Sequence, residues 1–343
     1  MDIPLLLTVG FLAIALLAAL WLIFGFPRSK DQIAREQDQA NARILALQHA
    51  YDQIWLIVQK SFLYREGLVE WDNYRYIAQE HWNAPYPEAL LQHLVARLQD
   101  KYSFFETSAR HAWRKKLDAQ QDVVEIQQLA ANIGYIRLRT FASIHCASEM
   151  EAAMRKFQGA SGLILDLRGN RGGLIDQCLL VFSLFVDEAV LCHTASYKGT
   201  ELYTSEVRVT AAGCVGGQLM FSGRRLENLL GSRQLVILVD EKTASASEML
   251  LGGLKGRPNV TLVGRRTFGK GVLQETHSFA PNIGLQLTVG QFYAPNGLCC
   301  HGQGIYPDKM VDDDSGRQFN AALALLRAGL KSGQNAAEVA QPL

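Results

Sequence analysis

The chain has 343 residues, 48% of them hydrophobic and 20% charged, and a formal net charge of +1. This is ordinary globular chemistry with room for about two folding units and a membrane segment, and it excludes a basic nucleic-acid footprint. No long basic run, low-complexity tract or internal repeat interrupts it.

Residues 5–26 contain no charge and are long enough to cross a bilayer core as a helix. No basic stretch precedes them, and they close on Leu20, Trp21, Leu22, Ile23 and Phe24 rather than on small residues suited to cleavage. An uncleaved transmembrane anchor over 1–27 is therefore expected instead of a signal peptide. Arg28, Lys30 and Arg35 follow it while only Asp2 precedes it, so the positive-inside rule leans towards a cytoplasmic catalytic part. Residues 28–44 read as a polar, helix-prone stalk. Helical text follows, with Leu47, Tyr51, Ile54, Trp55 and Val58 as one stripe and Leu90, Leu91, Leu94 and Leu98 as another, giving a helical unit over 45–133.

From Gly134 the text turns to strands, and 134–343 is read as one α/β unit. Leu163 to Leu167 is strand-like and runs into a turn rich in glycine, Gly169, Gly172 and Gly173, where backbone N–H groups can approach a ligand closely. A plain tight turn reads equally well from the residues alone. Asp166 and Arg168, two apart, are expected to brace that turn rather than to do chemistry. The six cysteines, Cys146, Cys178, Cys192, Cys214, Cys299 and Cys300, show no Cys-x-x-Cys pair. Cys178 and Cys192 read as core thiols, and Cys299, Cys300 and His301 read as packing residues before metal ligands.

Leu235 to Val239 is a continuous apolar, β-branched run, as in a strand buried on both faces, and from Ala244 the pattern becomes helical through Met249, Leu250, Leu251 and Leu254. Ser245 thus falls at a strand-to-helix junction. There the N–H of Ala246, unpaired at a helix start, is placed to hold an oxyanion while Ser245 attacks. The competing reading makes Ser245 or Ser247 simply an N-cap. Val260 to Gly264 reads as another buried strand, followed by Gly269-Lys270-Gly271. A serine among small residues and a lysine between glycines suit a Ser-Lys nucleophile pair, in which only a desolvated, neutral lysine can take the proton. Lys270 as a solvated loop residue is the alternative. A phosphate loop is a weak reading, because the Walker spacing is absent.

Four motifs in order resemble the carboxyl-terminal processing, or tail-specific, serine peptidases. They are Gly162 to Gly173 (GLILDLRGNRGG), Thr243 to Glu248 (TASASE), Gly264 with Thr267 to Gly271 and Gln274, and Leu285 to Asp308 through Tyr293-Ala294-Pro295-Asn296-Gly297. The resemblance implies Ser245 as nucleophile, Lys270 as general base, Gln274 as the residue orienting it, and a second oxyanion N–H from Gly172 or Gly173. It also implies a protein or peptide substrate with an apolar tail, no metal or nucleotide cofactor, and an extracytoplasmic catalytic part at the inner membrane, against the lean of the flanking charges. About thirty residues, 106–133, stand where the family carries a PDZ module, so that module is expected to be absent and a separate recognition partner is left open.

The expectation is an α/β fold with a mixed central sheet flanked by helices, a helical N-terminal unit and a membrane anchor. Its activity is peptide-bond hydrolysis through a Ser-Lys dyad and an acyl-enzyme. The alternative is an inactive, membrane-anchored peptide-binding scaffold. A Ser-His-Asp hydrolase using His277 or His301 is a third reading, unsupported by spacing.

Overall fold

A computed structural model describes residues 29–339 apart from 78, 120–121, 130–131, 218–221, 281 and 313–314. The anchor expected over 1–27 lies outside the described residues. Among the described residues, no helix is long and apolar enough to cross a membrane.

The described strands are β1 (Phe104–Glu106), β2 (Val124–Leu129), β3 (Ile133–Leu138), β4 (Gly162–Asp166), β5 (Ala189–Lys198), β6 (Glu201–Thr210), β7 (Gly213–Val215), β8 (Gln234–Val239), β9 (Val260–Gly264), β10 (Val272–Phe279), β11 (Ile283–Tyr293) and β12 (Lys309–Met310). They form two six-stranded sheets. One has the order β12-β9-β8-β4-β3-β2, parallel except for the antiparallel edge strand β2. This is the expected mixed sheet. The largely apolar runs of β4, β8 and β9 become its centre because helices cover both faces. A buried Ile237 or Leu262 there stabilises the fold by roughly 1.5–3 kcal/mol.

The second sheet is a separate layer that the sequence pattern alone does not reveal. It is antiparallel, with order β1-β11-β5-β6-β7 and β10 also paired to β11. Helices Cys146–Lys156, Ile175–Ser183 and Ala246–Leu254 lie between the two sheets in the largest core. The outer face of the mixed sheet is covered by the C-terminal helix Ser315–Val339 through Ala322 and Leu326.

Helix Lys30–Ser61 runs unbroken through the expected stalk, started by a Ser29–Gln32 capping box, and becomes buried only from Leu47. Two 3₁₀ turns and helices Gln79–Trp82 and Glu88–Ala96 complete the helical unit. Its core includes Phe105, Ile283, Leu285, Leu287 and Val289, so these helices pack together and close over β1 and β11. In the span 106–133 stand helix Ser108–Asp118 and strand β2. That helix is fastened by buried His111, whose Nδ1 lies 2.9 Å from Glu106 Oε2 and whose Nε2 lies 3.1 Å from Ser278 Oγ.

Candidate active site

The site is assembled by strand order. β4, β8 and β9 are adjacent and parallel, so the loops leaving their C-terminal ends emerge side by side. The first loop carries the glycine turn, the second Ser245 and the third Lys270. Backbone bonds stitch them together: Ala244 N–H donates to Asn170 O at 3.0 Å and Phe268 N–H to Thr243 O at 3.0 Å. Thr243 Oγ1 donates to Leu167 O at 2.9 Å.

Asp166 and Arg168 do brace the first loop. Buried Asp166 accepts from Arg168 Nε at 2.9 Å, from Arg168 N–H at 3.0 Å and from Tyr135 Oη at 2.8 Å. Gly172 has φ +86°, and a Cβ there would stand 2.6 Å from Ala244 O and 2.9 Å from Ser245 Cβ. Only glycine lets this turn lie directly against the serine.

Ser245 precedes helix Ala246–Leu254 and has φ +58° and ψ −119°. Backbone of that kind in a residue with a Cβ costs on the order of 1–3 kcal/mol and is held by its surroundings. The main restraint is Glu248, which is fully buried. Its Oε2 accepts from the N–H of Ser245 at 2.9 Å and of Lys270 at 2.7 Å. Its Oε1 accepts from Thr267 Oγ1 at 2.5 Å and Gly269 N–H at 2.6 Å. Ser247, the other serine of the motif, is buried and donates to Asn170 O at 3.2 Å.

Lys270 Nζ donates to Gln274 Oε1, and Gln274 Nε2 donates to Tyr102 O. Burial lowers the Lys270 pKa from its ordinary 10.5, while the charges of Asp100 and Glu248 pull the other way. Ser245, Ala246, Gly172, Gly173, Lys270 and Gln274 all line one cleft of about 570 Å³. The N–H of Gly172 is committed to Asn170 Oδ1 at 2.9 Å. Among the described residues, no hydrogen bond engages the N–H of Gly173 or of Ala246.

The sequence profile of Peptidase family S41 matches residues 132–311, more than half of the chain and the whole stretch from β3 to beyond β12. The chain belongs to peptidase family S41. It is 33% identical over 212 residues to the carboxyl-terminal-processing protease of Synechocystis sp., covering 58% of this chain and 45% of that protein. It is 29% identical over 198 residues to the carboxy-terminal processing protease CtpA of Bacillus subtilis, covering 56% of this chain and 38% of that protein. The chain thus spans less than half the length of these two relatives. In fold it is similar to a lipoprotein from Streptococcus agalactiae, with TM-score 0.61 and 20% identity over 82% of this chain and 96% of that one. It is also similar to the photosystem II D1 C-terminal processing protease, with TM-score 0.57 and 19% identity over 78% and 93%.

The S41 match contains every site residue named from the sequence, but not Tyr102, which comes from the helical unit. The role of Glu248 was not read from the sequence, although a signal was present. It is the one ionisable residue in the largely apolar helix Ala246–Leu254, where a buried carboxylate must collect donors. His277 and His301 are not among the residues lining the S41 cleft, which leaves the Ser-His-Asp alternative without a base at Ser245. Among the described residues, no group of three His, Cys, Asp or Glu side chains is placed to hold a metal. All six cysteines are free thiols, and burial raises those of Cys178 and Cys192, the latter to about 12.

Proposed function

We propose that this S41 chain is a serine endopeptidase of the carboxyl-terminal processing type, acting on protein or peptide substrates. The carrying observation is that Ser245 and Lys270, twenty-five positions apart in sequence, line the same cleft with their backbones tied to one carboxylate oxygen. Ser245 Oγ attacks the scissile carbonyl, and neutral Lys270 takes its proton and passes it to the leaving amine. Gln274 orients the lysine. The N–H groups of Ala246 and Gly173 hold the oxyanion, Gly172 being occupied by Asn170. Water then cleaves the acyl-enzyme with Lys270 again as base.

The uncharged run over 5–26 supports a single membrane anchor, and the extracytoplasmic placement of the catalytic part rests on the resemblance to the tail-specific peptidases. Reporter fusions after Leu343 test this. Activity of a periplasm-specific reporter is expected, and activity of a cytoplasm-only reporter instead would reverse the orientation. Labelling by a fluorophosphonate, lost in Ser245→Ala, tests the catalytic reading against an inactive scaffold. An unlabelled, fully folded wild type would favour the scaffold.

A further inference from the structure

We propose that Tyr102 is a positioning residue for Lys270, and that the helical N-terminal unit thereby completes the catalytic base. The inference rests on the reading of Lys270 as base. Tyr102 lies within the helical unit, just before β1 and thirty positions before the S41 match begins. It reaches the lysine in two ways. Its carbonyl accepts from Gln274, the residue that in turn accepts from Lys270 Nζ. Its ring lies close to the same ammonium, with Nζ 5.1 Å from the ring centroid, inside the range where an aromatic face attracts a cation.

The loop that holds Tyr102 is itself fixed to the strand pair carrying Gln274. Asp100 Oδ2 accepts from Ser103 Oγ and from Thr288 Oγ1, each at 2.6 Å, and its Oδ1 accepts from Tyr102 N–H at 3.2 Å. Ser103 Oγ also accepts from Thr288 N–H at 2.9 Å. Thr288 on β11 is the cross-strand partner of Gln274 on β10. The loop therefore grips β11 directly opposite the residue whose amide it holds. A side chain as long as lysine has several rotamers to lose on ordering, and this two-sided cradle selects one of them.

The charged and titratable groups around the ammonium are Asp100 from the helical unit, Glu248 from the serine's helix and Tyr102 itself, and Lys101 lies against the same ring with Nζ 4.8 Å from its centroid. His301 packs edge-on against Tyr102, with ring centroids 5.9 Å apart. Lys101, Asp100 and Glu248 all remain in any Tyr102 variant, so what a change at Tyr102 takes from Lys270 is the ring. Phenylalanine preserves the ring and the backbone carbonyl. Leucine preserves the carbonyl and a dry contact but offers no π face.

The test measures kcat and KM of the full chain on a peptide substrate across pH for wild type, Tyr102→Phe, Tyr102→Leu and Lys270→Arg, with melting temperatures alongside. Tyr102→Phe is expected within about twofold of wild type in kcat, with an unmoved pH midpoint. Tyr102→Leu is expected to lose about tenfold in kcat with little change in KM, since it disturbs the reacting group rather than substrate binding. Its midpoint should fall, because the ammonium form loses its aromatic partner while the site stays dry. A folded Tyr102→Leu with wild-type kcat and midpoint overturns the proposal, and so does a Tyr102→Phe as impaired as Tyr102→Leu. If Tyr102→Leu fails to fold, Tyr102→Met is read by the same criteria. Substantial turnover by Lys270→Arg would instead remove the base reading beneath the proposal.

Discussion

The backbone N–H groups of Ser245 and Lys270 converge on a single oxygen, Glu248 Oε2, at 2.9 and 2.7 Å. Nucleophile and base are thereby fixed relative to each other through main chain, before their side chains are considered. A carboxylate accepting four donors in a fully buried place is a rigid clip, because moving either loop leaves a buried charge short of partners.

Glu248→Gln should therefore be more damaging than its isosteric shape suggests. The amide nitrogen would face N–H groups that need an acceptor, costing on the order of 2–3 kcal/mol in stability and most of the activity. Chemical denaturation and peptide hydrolysis check this together. A variant of wild-type stability and turnover would show that the clip is dispensable.

Ser245→Ala should abolish hydrolysis with the fold intact. Ser247→Ala should keep most of it, at about 1 kcal/mol of stability, because the Asn170 carbonyl it serves retains the Ala244 N–H. The pair is read by activity and melting temperature. Equal activity in Ser245→Ala and wild type would end the protease reading.

The pH dependence follows from the sign of the lysine shift. Burial favours the neutral amine, which is the working form, so activity should rise with pH through a midpoint below 10.5. Lys270→Arg keeps the charge but cannot give up its proton at a usable pH, and should be inactive throughout. Gln274→Ala should be milder, since it removes orientation rather than the acceptor. A wild-type profile flat from neutral to alkaline pH would contradict a titrating lysine base.

Two glycines of one turn should separate strain from geometry. Gly169 has φ +77°, and a Cβ added there would meet nothing within 4 Å, so Gly169→Ala should cost about 1 kcal/mol of stability and little activity. Gly172→Ala would push against Ala244, Ala246 and Ser245, and should remove activity well beyond its effect on stability. Similar kinetics in the two variants would mean that the turn does not set the serine's position.

Much of this protein is decided by local sequence. The apolar runs at β4, β8 and β9, the glycine turn, the strand-to-helix junction at Ser245 and the glycine-flanked Lys270 each declare themselves through residue type and spacing, as do Asp166 and Arg168 as braces. What stayed illegible was set by neighbours distant in the chain. The antiparallel second sheet depends on β11 pairing with β1, β5 and β10, and the core of the helical unit is completed by Leu285, Leu287 and Val289 of β11. The division between Gly172 and Gly173 turns on one side-chain acceptor, Asn170 Oδ1, and the placement of Tyr102 beside Lys270 on a contact across more than 160 positions. Periodicity and spacing encode which face of an element is buried. Which partner's N–H, carbonyl or ring meets that face is fixed only when the strands are ordered in three dimensions.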